Sequence, residues 1–330
     1  MNLLWLDLAE RTGKYDSWLH TDFAIALRPH VANLYLYAPH MDKKYDRSLV
    51  PFLYDPRLPI ANIVSSLKID VIVANTRSAM YHAYYPRTIC PEKPFVGHCW
   101  LPEDFASCRT PKICIEEDFH YETDAVWHKQ MGFRVLLQKH YSQSLRRLEV
   151  PCESFPFSVD TAIFNPGRHI RKNKICFSGS AEAVCYPQRY HAYTMLEGCG
   201  LLDAFVQRNG TREKNTAVYG MDYVNCLKNY ISHVSCGSKY DLTSAKNFEI
   251  MSSGSVLFTN KFIGIEKQLD EGSYVTYENN WSDLFAKTDK ILNDVPFRAA
   301  VVNRAIHCIQ TRHTHEIRIK EFLKLIEKYR

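Results

Sequence analysis

Residues Ser235 to Asn260, SCGSKYDLTSAKNFEIMSSGSVLFTN, carry the decision about the fold. They read as strand, polar loop, short helix, glycine, strand. Phe248-Glu249-Ile250-Met251 form an amphipathic helical turn. Ser253-Gly254 stops it, because glycine readily takes the left-handed conformation that ends helices. Ser255 to Thr259 is a short apolar run of the buried-strand kind. A loop feeding a helix N-terminus beside a parallel sheet offers unpaired N–H groups and a positive dipole end. That suits a phosphate or a polyol. Two acids, Asp241 and Glu249, flank seven residues, and Lys246-Asn247 stand shortly before the second acid.

The rest of the chain agrees with an α/β reading. At 330 residues the default is two domains, and an apolar content of 46% suffices for two cores. The formal net charge of +5 fits nucleotide phosphates, nucleic acid or an anionic surface. It falls short of the footprint of a dedicated DNA-binding domain. Eleven cysteines are an odd number, none in a Cys-x-x-Cys pair, scattered over strands such as Ile113-Cys114-Ile115 and Ile175-Cys176-Phe177. They read as reduced thiols. Cys90, Cys99, Cys108 and Cys114 cluster without zinc-knuckle spacing, so no metal ligand set is expected. No secretory leader precedes the first strand and no apolar run reaches a membrane-spanning length, so the expected location is the cytoplasm.

In chain order, Leu3 to Leu6 is a buried strand, followed by a loop with Gly13-Lys14 that lacks the remaining Walker residues. A helix at Asp16–Arg28 leads to a strand at Val31–Tyr37. A helix at Ile60–Leu67 leads to an almost wholly apolar strand at Ile69–Ala74. Further strands are expected at Pro94–His98, Lys112–Ile115 and Val135–Lys139, with helices at Glu122–Met131 and Ser142–Arg147. This alternation makes the first half a doubly wound α/β unit, whose functional groups collect at the C-terminal strand ends. His98 stands at one such end. Asp118, in the acidic run Glu116-Glu117-Asp118, stands near another, where it can cap a helix.

The boundary is placed so that residues 1–168 form one domain and 169–330 the other. The second domain opens on a strand, Lys174–Phe177, that ends in Ser178-Gly179-Ser180. Gly179 and Ser180 can bring backbone N–H groups close to a phosphate. Tyr186-Pro187-Gln188-Arg189 opens a helix whose N-terminal dipole disfavours a cation, a small argument that Arg189 meets a ligand. Thr216–Gly220 is read as a strand, Met221–Ile231 as a helix and Ser232–Cys236 as a strand. Two long helices close the chain.

The stretch around Asp241 and Glu249 resembles the nucleotide-sugar site of GT-B glycosyltransferases of the group 1 superfamily, in particular the CgeB-like (spore maturation protein-like) branch. Three further segments carry the same resemblance. They are Phe155 to Pro166, with its Pro-x-x-Val-Asp core; Tyr-Pro-x-Arg at Tyr186 to Arg189; and His313-Thr314 followed by Arg318. The family usually has Glu where Asp241 stands. The resemblance implies two Rossmann-like domains facing a cleft, the N-terminal one binding acceptor and the C-terminal one binding donor. The last helix would cross back to the first domain.

It also implies a nucleotide-sugar-dependent glycosyltransferase acting with retention and needing no cofactor beyond its co-substrate. The donor would be UDP- or GDP-linked. Arg189 and Lys246 would hold the diphosphate, Glu249 the ribose and Asp241 the transferred sugar, with Gly179, Ser180, Tyr219 and Asn247 lining the donor site. His98 would stand near the donor sugar, and Gly13 and Asp118 on the acceptor side. The acceptor would be a surface glycan or its precursor. Two alternatives stay open: a phage-type DNA glycosyltransferase acting on hydroxymethylated bases, and a non-catalytic GT-B-like binding protein.

Overall fold

The computed structural model describes residues 1–6, 18–37, 59–75, 104–116, 128–141, 149–167, 170–207, 216–238 and 241–330. The strand expected at Pro94–His98 and the helix expected at Ser142–Arg147 lie outside these residues. The chain divides into two compact units, one made of Met1–Phe155 and Ile319–Arg330, the other of Pro156–Arg318.

The first unit is built on a six-stranded parallel sheet. Its strands are β1 (Asn2–Leu6), β2 (Asn33–Tyr37), β3 (Val71–Asn75), β4 (Lys112–Glu116), β5 (Val135–Gln138) and β6 (Cys152–Ser154), in the order β2-β1-β3-β4-β5-β6. Side chains alternate across a strand, so a strand covered on both faces must be apolar throughout. Leu3, Trp5, Val71, Val73, Ile113 and Ile115 face one layer of core. Leu4, Leu6, Ile72, Ala74, Cys114 and Leu136 face the other. The first layer is closed by Phe23, Ala24 and Leu27 of α1 (Trp18–Leu27) and by Ile319, Phe322 and Ile326 near the C-terminus. Phe322 meets Trp5 edge-on at 6.0 Å between ring centroids. The second layer is closed by Ile60 and Ile63 of α2 (Ile60–Leu67) with Phe105 and Phe133. Helix α2 lacks a capping side chain of its own. The Asp104 carboxylate takes that place, accepting from the N–H groups of Ile60 at 2.9 Å and Ala61 at 3.0 Å.

The second unit holds a five-stranded parallel sheet. Its strands are β7 (Lys172–Ser180), β8 (Leu202–Gln207), β9 (Tyr230–Val234), β10 (Val256–Asn260) and β11 (Val275–Tyr277), in the order β11-β10-β9-β7-β8. The helices are α3 (Pro187–Gly198), α4 (Gly220–Asn229), α5 (Ala245–Ser252), α6 (Ile263–Gln268), α7 (Leu284–Asn293), α8 (Val295–Arg312) and α9 (His315–Tyr329). From Ile319 onward, α9 belongs to the first unit. Residues 156–167 join the second unit. Val159 N–H donates to His313 O at 2.9 Å, and Ser252 Oγ donates to Phe164 O. Asp160 caps its own turn through Ala162 N–H at 2.8 Å, as its place after Val159 suggests.

The strand expected at Thr216–Gly220 is absent. Residues 216–219 have no regular structure, and Gly220 is already the first residue of α4. Strand β7 pairs with β9 on one side and on the other with β8, which the sequence pattern does not predict. Helix α4 ends at Asn229, and Tyr230 turns extended at once (φ −117°, ψ 152°), so β9 begins earlier than expected and without a loop. The fold class stands: two doubly wound, all-parallel α/β units.

Candidate functional site

In the second unit the sheet order reverses around β7, whose neighbours are β8 on one side and β9 on the other. In open α/β sheets the crevice outside such a reversal, at the C-terminal strand ends, is where ligands bind. There β7 ends in Ser178-Gly179-Ser180, β9 continues into Ser235-Cys236-Gly237, and α5 begins.

Two cations converge on the end of β7. Arg189, in the first turn of α3, is buried (6% exposed) and donates from Nη2 to Ser180 O at 2.6 Å. Its guanidinium lies over the Tyr186 ring at 4.0 Å and near the Phe177 ring at 5.5 Å. Its Nε is buried without a hydrogen-bond partner. Lys246, in the first turn of α5, donates from Nζ to Ser178 O and stands 5.4 Å from the Tyr223 ring centroid. Burial pushes the Lys246 ammonium down to about 8. The nearby Arg189 charge pushes the same way and the Glu249 carboxylate partly offsets both. Two cations held together with few water contacts create a strong demand for an anion.

Gly179 lies between them. Its φ of +117° belongs to the region L side chains avoid, and a Cβ there would stand 2.6 Å from Lys246 Nζ. Glycine lets the strand end turn while the ammonium closes on the backbone.

Helix α5 supplies the rest. Asn247 is fully buried. Its Oδ1 accepts from Ser235 Oγ at 2.6 Å and Ser244 Oγ at 3.1 Å, which orients the amide. Its Nδ2 is left buried without a hydrogen-bond partner. One turn on from Lys246, the Glu249 carboxylate accepts from Tyr223 Oη of α4 at 2.5 Å. Tyr219 is the N-cap residue of α4; its carbonyl accepts from Asp222 N–H and Tyr223 N–H. Asp241 is exposed and takes a left-handed backbone (φ 56°), its N–H donating to Ser238 O at 2.9 Å. Partial burial raises its carboxyl above the ordinary value.

Of the residues singled out by sequence, Gly179, Ser180, Arg189, Lys246, Asn247 and Glu249 thus gather at one strand end. Tyr219 stands at the start of the helix that brings Tyr223 to Glu249, and Asp241 on the loop before α5. Gly13, His98 and Asp118 lie outside the described residues. The structure adds Tyr186, Ser178, Tyr223, Ser235 and Ser244. Tyr223 and Glu249 are 26 residues apart, and only packing of α4 against α5 joins them.

Residues 202–324 match the family described as glycosyl transferase-like. No curated protein sequence matches the chain. Among solved structures, sucrose-phosphate synthase from Thermosynechococcus elongatus is 10% identical with a TM-score of 0.67 over 99% of both chains. Anabaena HepE in complex with UDP and glucose is 12% identical with a TM-score of 0.66, again over 99% of both. A glycosyltransferase from Rickettsia africae is 8% identical with a TM-score of 0.64, over 99% of this chain and 98% of that one. These likenesses establish the fold along the whole chain: it is the GT-B fold. The family match lies mainly in the second unit and reaches into the first from Ile319 onward. Among the described residues no helix is long and apolar enough to cross a membrane.

Proposed function

We propose that this chain transfers a sugar from a nucleoside-diphosphate sugar to an acceptor hydroxyl, and that its second unit binds the donor. The observation that carries the reading is the pair of cations, the buried Arg189 and the half-buried Lys246, closing on Ser178-Gly179-Ser180 where the sheet order reverses. When the glycosidic C–O bond breaks, negative charge grows on the β-phosphate of the leaving diphosphate. Cations already held in place stabilise that charge without reorganising. Arg189 can grip phosphate oxygens in a two-pronged way, braced from behind by Tyr186. Lys246 acts as a point charge. Asn247 Nδ2 is a further oriented donor for an oxygen of the ligand.

Glu249, oriented by the Tyr223 hydroxyl, accepts from the ribose hydroxyls, and Asp241 contacts the transferred sugar. The donor is UDP- or GDP-linked; UDP is the first to test, because HepE has been solved with UDP-glucose. Transfer proceeds with retention. The acceptor attacks from the side on which the diphosphate leaves, and a diphosphate oxygen takes its proton. The acceptor is a surface glycan or its precursor.

The test is binding and thermal melting of the full chain against UDP-, GDP-, TDP-, CMP- and ADP-linked sugars, with donor hydrolysis followed in parallel. One donor should raise the melting temperature and be slowly hydrolysed, and Arg189→Ala and Lys246→Ala should each abolish both effects. No stabilisation by any donor at millimolar concentration overturns the reading. Stabilisation without hydrolysis or transfer favours a binding protein.

A further inference from the structure

We propose that Cys176, Cys226 and His233 form a three-ligand site for a thiophilic d10 cation, Zn2+ or Cu+, in the core of the second unit. The site is assembled from three elements. Strands β7 and β9 pair so that Cys176 stands directly opposite His233. Helix α4 brings Cys226 down onto them, placing its Sγ 3.5 Å from Cys176 Sγ. The two sulfurs and a ring nitrogen of His233 all lie within 4.8 Å of one another, and all three residues are buried. A tetrahedral Zn2+ about 2.3 Å from each of two sulfurs holds them about 3.8 Å apart, so the cluster needs to open by only a few tenths of an ångström.

His233 is the independent sign of a missing partner. It is 1% exposed, yet neither Nδ1 nor Nε2 has a hydrogen-bond partner. The carbonyls of Cys226 and Leu227 are near the ring without making good hydrogen bonds. Buried polar groups in folded proteins are almost always satisfied, and leaving one bare is costly. Burial holds the imidazole neutral, its pKa lowered to about 3, which is the form that ligates a metal. Around the cluster stand Tyr230, Phe205 and Val218. The Tyr230 hydroxyl is engaged, donating to Asp203 at 2.8 Å and accepting from Lys172 at 3.2 Å.

Two thiolates and an imidazole are a soft donor set, which favours Zn2+ or Cu+ over oxygen-seeking cations. Sequence gives no hint of the set, since the cysteines are fifty residues apart and only the β7–β9 register brings the histidine to them. A second cluster, Cys114, Glu116 and His128 in the first unit, differs in one respect. There the imidazole already faces the Glu116 carboxylate at 3.0 Å.

The experiment uses the full chain, without an affinity tag that binds metal, purified under reducing conditions. Metal content is measured as isolated and after loading with Zn2+, or with Cu+ under exclusion of oxygen. Co2+ serves as a spectroscopic stand-in. One of the two cations should bind at one ion per chain and raise the melting temperature. Co2+ should show a thiolate charge-transfer band. The bound ion should protect Cys176 and Cys226 from alkylation. Cys226→Ser and His233→Leu should lose the ion, while Cys114→Ser keeps it. If the first two variants fail to fold, the cobalt band and the alkylation pattern of the unaltered chain decide. No bound ion, binding that survives Cys226→Ser, unprotected Cys176 and Cys226, or a Cys176–Cys226 disulfide in the isolated chain overturns the proposal.

Discussion

The two units are wound alike, yet the charged groups gathered at the end of a central strand differ in sign. In the first unit, β4 ends in Glu116, whose buried carboxylate meets His128 at 3.0 Å. In the second, β7 ends in a backbone turn met by two cations, Lys246 and Arg189. Both units have their first strand between their second and third in the sheet, a doubly wound order known to place ligands at the reversal. Topology therefore provides a place in each. The cations at the end of β7 support the proposed donor site in the second unit, because like charges removed from water call for a counter-charge.

Removing the cations is the most direct way to break this contrast. Lys246→Ala or Arg189→Ala should weaken nucleoside-diphosphate binding about 100-fold or more, by analogy with the loss of one preorganised donor at a developing charge. Melting temperature should fall little, because each change also relieves a buried cation of its neighbour; calorimetric titration together with thermal melting checks both. Collapse of the fold in parallel with binding would make the pair structural instead.

Gly179→Ala should come next. A Cβ at φ +117°, 2.6 Å from Lys246 Nζ, forces backbone strain of about 1–3 kcal/mol and displaces the ammonium. Urea titration should show the stability loss, and donor affinity should fall with it.

The pH dependence sharpens the comparison. Lys246 must be protonated to hold the diphosphate, and its pKa is depressed to about 8. Donor affinity should be full below that value and should fall as pH rises through it, well before an ordinary lysine near 10.4 would respond. In Lys246→Arg the decline between pH 7 and 9.5 should disappear, because guanidinium stays charged. Tyr223→Phe leaves Glu249 without its hydroxyl donor. A loss of about 1.5–3 kcal/mol in donor affinity, tenfold or more, is expected for one hydrogen bond to a charged group. Glu116→Gln in the first unit should leave donor affinity unchanged while lowering stability, since it breaks a buried pair.

What was legible in the sequence followed burial. Leu3–Leu6, Val71–Ala74, Ile113–Ile115 and Val256–Thr259 lie in central strands covered on both faces, and an unbroken apolar run announces such a strand. The two strands that the pattern does not announce, β6 and β8, are sheet edges. Strand β8 carries Asp203, which reaches out to Lys174, so its pattern is diluted. The expected strand at Thr216–Gly220 fails because Gly220 opens a helix, and local propensity cannot see that β8 already fills the edge beside β7.

The sequence by itself determined the architecture and the residue types at the site. Apolar periodicity sets strands and helices, and Gly179, Arg189, Lys246 and Glu249 stand in segments whose type can be read locally. Only the tertiary structure decided which of them meet and in what state. Arg189 is sunk against Tyr186, Glu249 is held by a tyrosine from another helix, and Cys176 faces His233 across a strand register. The last two contacts join residues far apart in the chain, and the charge states such burial imposes come from exclusion of water, which no local pattern encodes.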